Sequence, residues 1–287
     1  MAIRSNWQQF QLYVITAENN HPGRSLLQVM EQTLIGGADI LQLRNKTGTR
    51  EEILKQAKEL RVLTNRYNVP FIVNDYADIA LEVDADGVHL GQDDNAIEDA
   101  RALLGPSKII GISTHNIEQA LAAERAGAHY IGVGPVYPTN TKPGRAAVTT
   151  SYVAEAAKRI TIPFVAIGGI TLSNVDDVLA AGASRICAVS AIVGDNDPAK
   201  MCRLLRERIQ VSRETNRSGP MSKVIWLNGK SHTTTSENLA DLIEQLGQSG
   251  KRLVTEVNGI IIQRTAWPET TVSDGATIEL VQFVGGG

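Results

Sequence analysis

The feature that most constrains the fold is a repeated alternation of short apolar runs with longer amphipathic stretches over residues 1–210. Short runs rich in Val and Ile are typical of strands buried on both faces of a parallel sheet. The candidate strands lie at 12–16, 40–44, 71–75, 87–91, 108–114, 130–134, 163–169 and 185–190. Eight strand–helix units in about 210 residues predict an α/β fold, a compact TIM (β/α)8 barrel. An open doubly wound sheet is disfavoured because no Gly-x-Gly-x-x-Gly motif follows the first run.

Local signals between the runs mark the expected ends of the helices. Ser25 with Gln28, and Thr49 with Glu52, have the spacing of a capping box at a helix N-terminus. Glycines at 36–37, 127 and 182 predict helix ends, because glycine readily adopts the left-handed conformation that terminates a helix.

A polar segment divides the chain into two parts. Residues 211–222 contain a Ser-Gly-Pro breaker and no hydrophobic period, which indicates a flexible linker. The expected domains are therefore 1–210 and 223–287. The second part shows the pattern strand, strand, helix, strand, strand, which is typical of a small β-grasp, ubiquitin-like α+β domain.

Composition limits the classes of partner. A net charge of −3 and 5% aromatic residues argue against nucleic-acid binding, and no apolar stretch is long enough to cross a membrane. The first residues lack the apolar core of a signal peptide. Two cysteines cannot form a disulfide framework. We therefore expect a cytoplasmic protein that binds small molecules, with no nucleic-acid or membrane partner; a homo-oligomer remains possible.

Polar residues collect after the candidate strands, at the end of a barrel that carries active sites. Alternation along the second strand directs Gln42, Arg44 and Lys46 to one side. The later strands are followed by Asn74, Asp75, Asp93, Asp94, Ser113, Thr139, Asn140, Thr141, Lys142, Gly168, Gly169, Val189 and Ser190. This set predicts a site for phosphorylated substrates, since Arg and Lys bind phosphate oxygens and backbone N–H groups after strands 7 and 8 form the usual phosphate site of a barrel.

The same residues favour electrostatic catalysis. Asp75 and Asp94 suit Mg²⁺, which takes one or two carboxylates together with substrate phosphates. Asp93 is an equally good second ligand on this reasoning. No nucleophile with an adjacent base is evident, so stabilisation of a leaving diphosphate is favoured over covalent catalysis.

Simpler interpretations of three features stay open. Arg44 and Asp75 would also suit a structural ion pair between neighbouring strands. Glycines 168–169 would also serve close packing alone. His89 lies inside the fourth strand and is more simply a packed residue than a base.

Residues 10–210 resemble the thiamine-phosphate synthase family. The resemblance rests on QLRNK at 42–46, ND at 74–75, GVHLGQDD at 87–94, GIST at 111–114, GPVYPTNTKPG at 134–144, AIGGI at 166–170 and AVSAI at 188–192. It implies a transferase that joins a hydroxymethylpyrimidine diphosphate to a thiazole phosphate carboxylate and releases diphosphate.

The resemblance also implies a role for each site residue. Catalysis is expected of Arg44, Lys46, Ser113 and Lys142. These four, with Gln42 and Asn74, would hold the pyrimidine diphosphate. Mg²⁺ would be held by Asp75 and Asp94, in preference to Asp93. The thiazole phosphate would contact Thr139, Asn140, Thr141, Gly169, Val189 and Ser190.

Two other barrel enzymes remain as alternatives. A thiazole tautomerase shares the barrel and the thiazole-phosphate site, but it needs no residues for Mg²⁺ and diphosphate. A sugar-phosphate barrel enzyme would be expected to have a clear acid/base pair or a Schiff-base lysine, and neither is evident.

The second part resembles a sulfur carrier of thiamine biosynthesis. The motifs are VNG at 257–259, the stretch 264–267 and DGATIELVQFVGGG at 274–287. The resemblance implies that an E1-like adenylating enzyme activates Gly287, which then carries sulfur as a thiocarboxylate to thiazole synthase. A molybdopterin-type carrier and a ubiquitin-like interaction module are the alternatives, and a three-glycine end also fits a loose terminus.

Overall fold

The computed structural model describes residues 7–17, 21, 23–92, 97–139, 146–218 and 222–282, and no side chains for 216–218. The chain divides into two compact units, Met1–Arg213 and Glu214–Gly287.

The first unit contains a closed barrel of eight parallel strands that follow one another in sequence order. The strands are β1 Leu12–Ile15, β2 Ile40–Leu43, β3 Phe71–Asn74, β4 Gly87–Leu90, β5 Ile109–Thr114, β6 Tyr130–Val133, β7 Phe164–Ile167 and β8 Ile186–Cys187. β8 closes the barrel by pairing with β1. The predicted TIM barrel is confirmed, and each strand falls within its predicted run.

Helices surround the barrel between the strands. They are α1 Leu26–Ile35, α2 Arg50–Tyr67, α3 Ala77–Glu82, α4 Ile97–Leu104, α5 Ile117–Arg125, α6 Thr149–Arg159, α7 Val175–Ala180, α8 Ser190–Val193 and α9 Pro198–Ser218. Both predicted capping boxes are present, at Ser25 for α1 and at Thr49 for α2. Within the described residues, no helix is long and apolar enough to cross a membrane.

Helix α9 differs from the linker expected at 211–222, since it continues to Ser218. Ile209 is the last residue of this helix that the structure describes as buried. The turns beyond Ile209 contain Arg and Glu, which favour helix, and they extend a helix that its buried turns have already nucleated. The missing hydrophobic period therefore reflects a lack of burial, not a lack of helix.

The second unit contains a five-stranded sheet in the order β10-β9-β13-β11-β12, against which helix α10 packs. Its elements are β9 Lys223–Leu227, β10 Lys230–Thr234, α10 Leu239–Gln245, β11 Leu253–Val257, β12 Ile260–Ile262 and β13 Thr277–Gln282. Ile225, Ile278 and Leu242 form its core with Trp267. The β-grasp prediction is confirmed. The carboxyl-terminal glycines lie outside the described residues.

Candidate active site

A pocket opens at the carboxyl ends of the barrel strands, where the sequence places the polar residues. Eight predicted ligands of the pyrimidine diphosphate or the thiazole phosphate line it. Five come from the ends of β2, β3 and β5 and from the loop after β6, and three come from the segments after β7 and β8. The eight are Gln42, Arg44, Asn74, Ser113, Thr139, Gly169, Val189 and Ser190. One end of the barrel therefore gathers groups that are widely separated in sequence.

The hydroxyl of Thr16, the residue after β1, fixes the backbone of Arg44. The Arg44 N–H donates to Thr16 Oγ1 at 2.9 Å, and the same hydroxyl donates to the Arg44 carbonyl at 3.1 Å. The Arg44 Nε is buried and has no hydrogen-bond partner in the described structure. A buried guanidinium N–H without a partner is costly, and an anionic ligand would satisfy it.

The Asp75 carboxylate forms an ion pair with Lys46 and not with Arg44, so the alternative pairing of Arg44 with Asp75 is wrong. The Asp75 side chain is 15% exposed and that of Lys46 is 44% exposed. The Asp75 backbone has a positive φ of 67° and donates its N–H to the His89 carbonyl at 2.9 Å. This left-handed conformation is uncommon for a residue other than glycine, and such positions cluster at functional sites.

The donor set at the end of β3 fits a hard divalent cation. Asn74 is the last residue of β3, and Asp75 follows it directly, with its carboxylate paired to Lys46. Mg²⁺ needs only one or two protein carboxylates when substrate phosphates supply the other ligands. No group of three His, Cys, Asp or Glu side chains forms a metal cluster in the described part of the chain. Asp93 and Asp94 lie outside the described residues.

His89 is buried, as expected, but it also lines the pocket, so packing is only part of its role. Its Nδ1 lies 2.9 Å from the Tyr130 hydroxyl, and its Nε2 lies 2.9 Å from Ser113 Oγ. Tyr13 and Tyr130 form the floor of the pocket, and burial raises the pKa of both hydroxyls. Tyr13 and Tyr130 were not predicted from the sequence as site residues. The signal that could have indicated them is a tyrosine, whose hydroxyl needs a hydrogen-bond partner, within an otherwise apolar strand.

The glycines after β7 serve close packing and also line the pocket. Gly168 and Gly169 have φ values of 101° and 65°. A Cβ on Gly169 would lie 2.7 Å from the Pro138 carbonyl oxygen, and one on Gly168 would lie 2.5 Å from Pro135 Cα. The loop after β6 therefore rests directly on this turn, which brings Thr139 to the pocket wall.

Four predicted site residues fall outside the described residues together with the metal candidate Asp94. They are Asn140, Thr141, Lys142 and Gly287. Their roles stay predictions.

Comparison with known proteins identifies the family to which the barrel belongs. The family model for thiamine monophosphate synthase matches residues 12–192. The chain belongs to the thiamine monophosphate synthase family. A thiamine-phosphate synthase of Halalkalibacterium halodurans is 53% identical over 196 residues, which are 68% of this chain and 93% of that protein. One from Chloroflexus aurantiacus is 45% identical over 206 residues, 71% of this chain and 95% of that protein.

A solved structure gives the same assignment. The thiamine phosphate pyrophosphorylase from Pyrococcus furiosus is 37% identical, with a TM-score of 0.65 over 72% of this chain and 98% of its own. The thiamine monophosphate synthase domain of this chain is thus an enzyme of the transferase class. The tautomerase and sugar-phosphate alternatives are not supported.

The second unit has its own family. The ThiS family model matches residues 225–287, so the chain is a fusion of a thiamine monophosphate synthase domain with a ThiS domain. Both domains belong to thiamine biosynthesis, and the ThiS domain is a sulfur carrier.

Proposed function

We propose that the barrel condenses 4-amino-2-methyl-5-hydroxymethylpyrimidine diphosphate with thiazole phosphate to give thiamine phosphate and diphosphate. The thiazole phosphate carboxylate would give the same products with the additional loss of CO2. The observation that carries this proposal is the distribution of charge around one pocket. Arg44 lines the pocket after β2, the Lys46–Asp75 ion pair joins the segments after β2 and β3, and Gly169 and Ser190 line the pocket after β7 and β8. Two separate anion sites with a neutral floor between them suit two phosphorylated substrates.

The proposed chemistry is a dissociative displacement at the methylene carbon of the pyrimidine. The C–O bond breaks and its electron pair leaves with the diphosphate, while the ring electrons stabilise the resulting cation. The thiazole nitrogen then donates its lone pair to form the new C–N bond. No protein nucleophile is required, so the task of the site is to orient two ligands and neutralise the leaving group.

The cationic side chains take the leaving group in this proposal. The unpartnered Nε–H of Arg44 points to a missing anionic acceptor. Lys46, Lys142 and Ser113 add donors to the same diphosphate, and Gln42 and Asn74 hold the pyrimidine. Each donor acts more strongly in the partly buried pocket than it would in water.

Mg²⁺ is the proposed cofactor, with Asp75 and Asp94 as its protein ligands. When bound, it would neutralise charge on the departing diphosphate. Asp75 already sits beside Lys46, so the segments after β2 and β3 hold one anionic and one cationic group ready to bind a metal–diphosphate ligand.

The thiazole phosphate is proposed to bind on the opposite side. Its ligands would be Thr139, Asn140, Thr141, Gly169, Val189 and Ser190. Gly168 and Gly169 both line the pocket and have no side chain of their own to stand between their backbone and a ligand. A phosphate can approach such a backbone closely and accept from its N–H groups.

The ThiS domain is proposed to carry sulfur at Gly287. An E1-like enzyme would adenylate the terminal carboxylate, sulfur transfer would replace AMP to give a thiocarboxylate, and thiazole synthase would take the sulfur. The match to the ThiS family and the covalently attached thiamine monophosphate synthase domain support this pathway over the molybdopterin pathway. We place these reactions in the cytoplasm, because Cys187 and Cys202, the two cysteines of the chain, form no disulfide.

The sheet face opposite α10, here called the outer face, is the proposed docking surface for the activating enzyme. Strand alternation directs five exposed apolar residues there: Val224, Trp226, Val254, Ile261 and Val281. Trp226 is 52% exposed and Ile261 68%. Glu256 and Glu279 are directly paired on the same face, a like-charge pair that destabilises a sheet by itself. A partner with an apolar patch around an Arg or Lys complements this surface.

Two assays on the full-length chain test the proposal. Both substrates with Mg²⁺ should give thiamine phosphate and diphosphate in equal amounts, and omission of Mg²⁺ should stop turnover. Incubation with the activating enzyme, ATP and a sulfur donor should increase the chain mass by the replacement of one oxygen by sulfur. Deletion of Gly286 and Gly287 should abolish only the second result. Loss of condensation in that deletion would contradict the assigned division of labour.

For the outer face, the double variant Glu256→Lys/Glu279→Lys should lose binding to the activating enzyme. Glu244→Lys, on α10 and exposed, is the matched control and should bind as the unaltered chain does. Equal binding by the double variant would show that another surface is used.

A further inference from the structure

A continuous chain of hydrogen bonds crosses the floor of the pocket. Gln42 Nε2 donates to the Tyr13 hydroxyl at 2.8 Å, and the two tyrosine hydroxyls lie 2.7 Å apart. Tyr130 Oη lies 2.9 Å from His89 Nδ1, and His89 Nε2 lies 2.9 Å from Ser113 Oγ. The chain thus joins a predicted pyrimidine ligand on β2 to another on β5.

The interior residues of this chain are packed in place. Tyr13 is 1% exposed and Tyr130 is not exposed at all. Gly111 makes room for the second ring, because a Cβ at this position would lie 2.1 Å from Tyr130 Cζ. Trp7 and Phe10 contact the Tyr130 ring edge to face from below. The rings therefore have little freedom to reorient their hydroxyls away from one another.

One assignment of the hydrogens satisfies every contact of the chain from within the chain. Gln42 Nε2 is a donor, so the Tyr13 oxygen accepts from it and directs its own hydrogen to Tyr130. Tyr130 then directs its hydrogen to His89 Nδ1, which leaves the imidazole proton on Nε2. His89 Nε2 donates to Ser113 Oγ, and the hydroxyl hydrogen of Ser113 is directed away from His89.

We propose that Tyr13, Tyr130 and His89 are positioning residues that fix the hydrogen-bonding polarity of Gln42 and Ser113 together. At one end, the amide orientation turns Gln42 Oε1 toward the ligand as an acceptor. At the other end, His89 makes Ser113 a donor. Reversing either end requires every hydrogen in the chain to reverse, so the two ends recognise a ligand as one unit.

This arrangement defines which ring the pocket prefers. It rests on the proposed function, in which the ligand is an aminopyrimidine diphosphate. An exocyclic amine is a donor and suits Gln42 Oε1, whereas a ring nitrogen or a diphosphate oxygen is an acceptor and suits Ser113 O–H. A pyrimidine with a carbonyl in place of the amine presents an acceptor to an acceptor and should bind poorly.

The tautomer of His89 tests the direction of the chain without any substrate. Nitrogen-15 NMR of the histidine-labelled full-length protein, with the His89 signal assigned through His89→Gln, should show a neutral imidazole protonated at Nε2. Tyr130→Phe should remove this single preference. Protonation at Nδ1, or a mixture of both tautomers in the unaltered chain, would overturn the proposal.

Kinetic coupling tests the link between the two ends. Tyr130→Phe and Ser113→Ala should each lower kcat/KM for the pyrimidine diphosphate about tenfold, the loss expected for one hydrogen bond. The kcat/KM of the double variant should be within about twofold of that of the less active single variant, since the effects of substitutions in one network are not additive. Additive losses would overturn the proposal. Tyr13→Phe breaks another link and should behave like Tyr130→Phe, which keeps the test decisive if one variant does not fold.

Tyr152→Phe is the matched control. The Tyr152 hydroxyl is buried and lies 2.6 Å from Thr114 Oγ1, next to Ser113 but outside the chain. Its removal should lower thermal stability and leave kcat/KM within about twofold. An equal kinetic loss in Tyr152→Phe would show a merely structural role for buried hydroxyls. Absence of turnover in the unaltered chain would refute the proposed function, whereas the NMR result would still decide the direction of the chain.

Discussion

Lys46 and Asp75 form an ion pair between the segments that follow β2 and β3. The carboxylate is the more buried partner, with 15% of its side chain exposed. In the proposed mechanism one member of the pair binds Mg²⁺ and the other binds diphosphate. Substitution of each residue in turn therefore tests Mg²⁺ binding and diphosphate binding separately.

Asp75→Asn should sharply raise the Mg²⁺ concentration needed for half-maximal turnover, because Mg²⁺ has few protein ligands to lose. Lys46→Ala should lower the Mg²⁺ concentration needed for half-maximal turnover, because the Asp75 carboxylate loses its competing cation. The same variant should bind diphosphate more weakly, because it lacks the Lys46 ammonium group. Mg²⁺ titrations of initial rate measure both effects. Asp78→Asn, an exposed carboxylate on α3, is the matched control. Unchanged Mg²⁺ requirements in Asp75→Asn would contradict the metal assignment.

A parallel pair of variants addresses the second ligand. Asp94→Asn should match Asp75→Asn in its Mg²⁺ requirement, and Asp93→Asn should have a mild effect. The same titration compares them. A larger effect from Asp93→Asn would show that the ligands were assigned to the wrong carboxylate.

Arg44→Ala and Lys142→Ala should each slow turnover while circular dichroism shows an intact fold. Each removes a charge-assisted hydrogen bond worth about 1.5–3 kcal/mol, a loss of roughly ten- to hundredfold in kcat/KM. Arg50→Ala, whose guanidinium pairs with exposed carboxylates on α3, should keep normal turnover. Wild-type rates in both site variants would refute the diphosphate site.

Sequence reasoning succeeded where the chain supplies a local or periodic signal. The eight strands, the capping boxes at Ser25 and Thr49 and the β-grasp order all follow from hydrophobic period and turn chemistry. Strand-end position also brought Gln42, Arg44 and Ser113 to one pocket.

It failed where tertiary contacts decide. The partner of Asp75 depends on side-chain reach between two loops, and spacing alone does not distinguish Arg44 from Lys46. Tyr13 and Tyr130 are 117 residues apart, and only closure of the barrel brings their hydroxyls together. The helix continues through 211–218, but none of residues 211–215 is buried, so the sequence there shows no hydrophobic period and is typical of a linker.

Gly169→Ala should raise KM for the thiazole phosphate and destabilise the fold. The added Cβ meets the Pro138 carbonyl oxygen at 2.7 Å and also forces alanine into a positive φ. Gly127→Ala is the control, because its φ is 85° but nothing lies within 4 Å of the new Cβ. It should cost about 1 kcal/mol of unfolding free energy from backbone strain alone and leave KM unchanged. Equal KM values in the two variants, measured under saturating pyrimidine diphosphate, would argue against contact at Gly169.

The stability of the barrel should fall as pH drops below about 6.5. Burial, with the adjacent Arg101, lowers the pKa of His129 from its ordinary value of 6.5. Its Nδ1 accepts from the Ile110 N–H at 3.1 Å, which requires an unprotonated Nδ1. The unfolded chain binds this proton more tightly, so acidification favours unfolding. Urea unfolding of His129→Asn should show a smaller loss of free energy between neutral and acidic pH. Identical pH slopes in both proteins would exclude His129 as the cause.

The central claim is that the barrel breaks the carbon–oxygen bond of a pyrimidine diphosphate and transfers the carbon to a thiazole nitrogen. The most direct measurement uses the full-length chain, Mg²⁺ and pyrimidine diphosphate labelled with heavy oxygen. The label is placed at the oxygen that joins the methylene carbon to the first phosphorus. Mass spectrometry should find thiamine phosphate without label and all of the label in the released diphosphate. Label retained on a pyrimidine alcohol, with no thiamine phosphate formed, would show cleavage at phosphorus and would contradict the account.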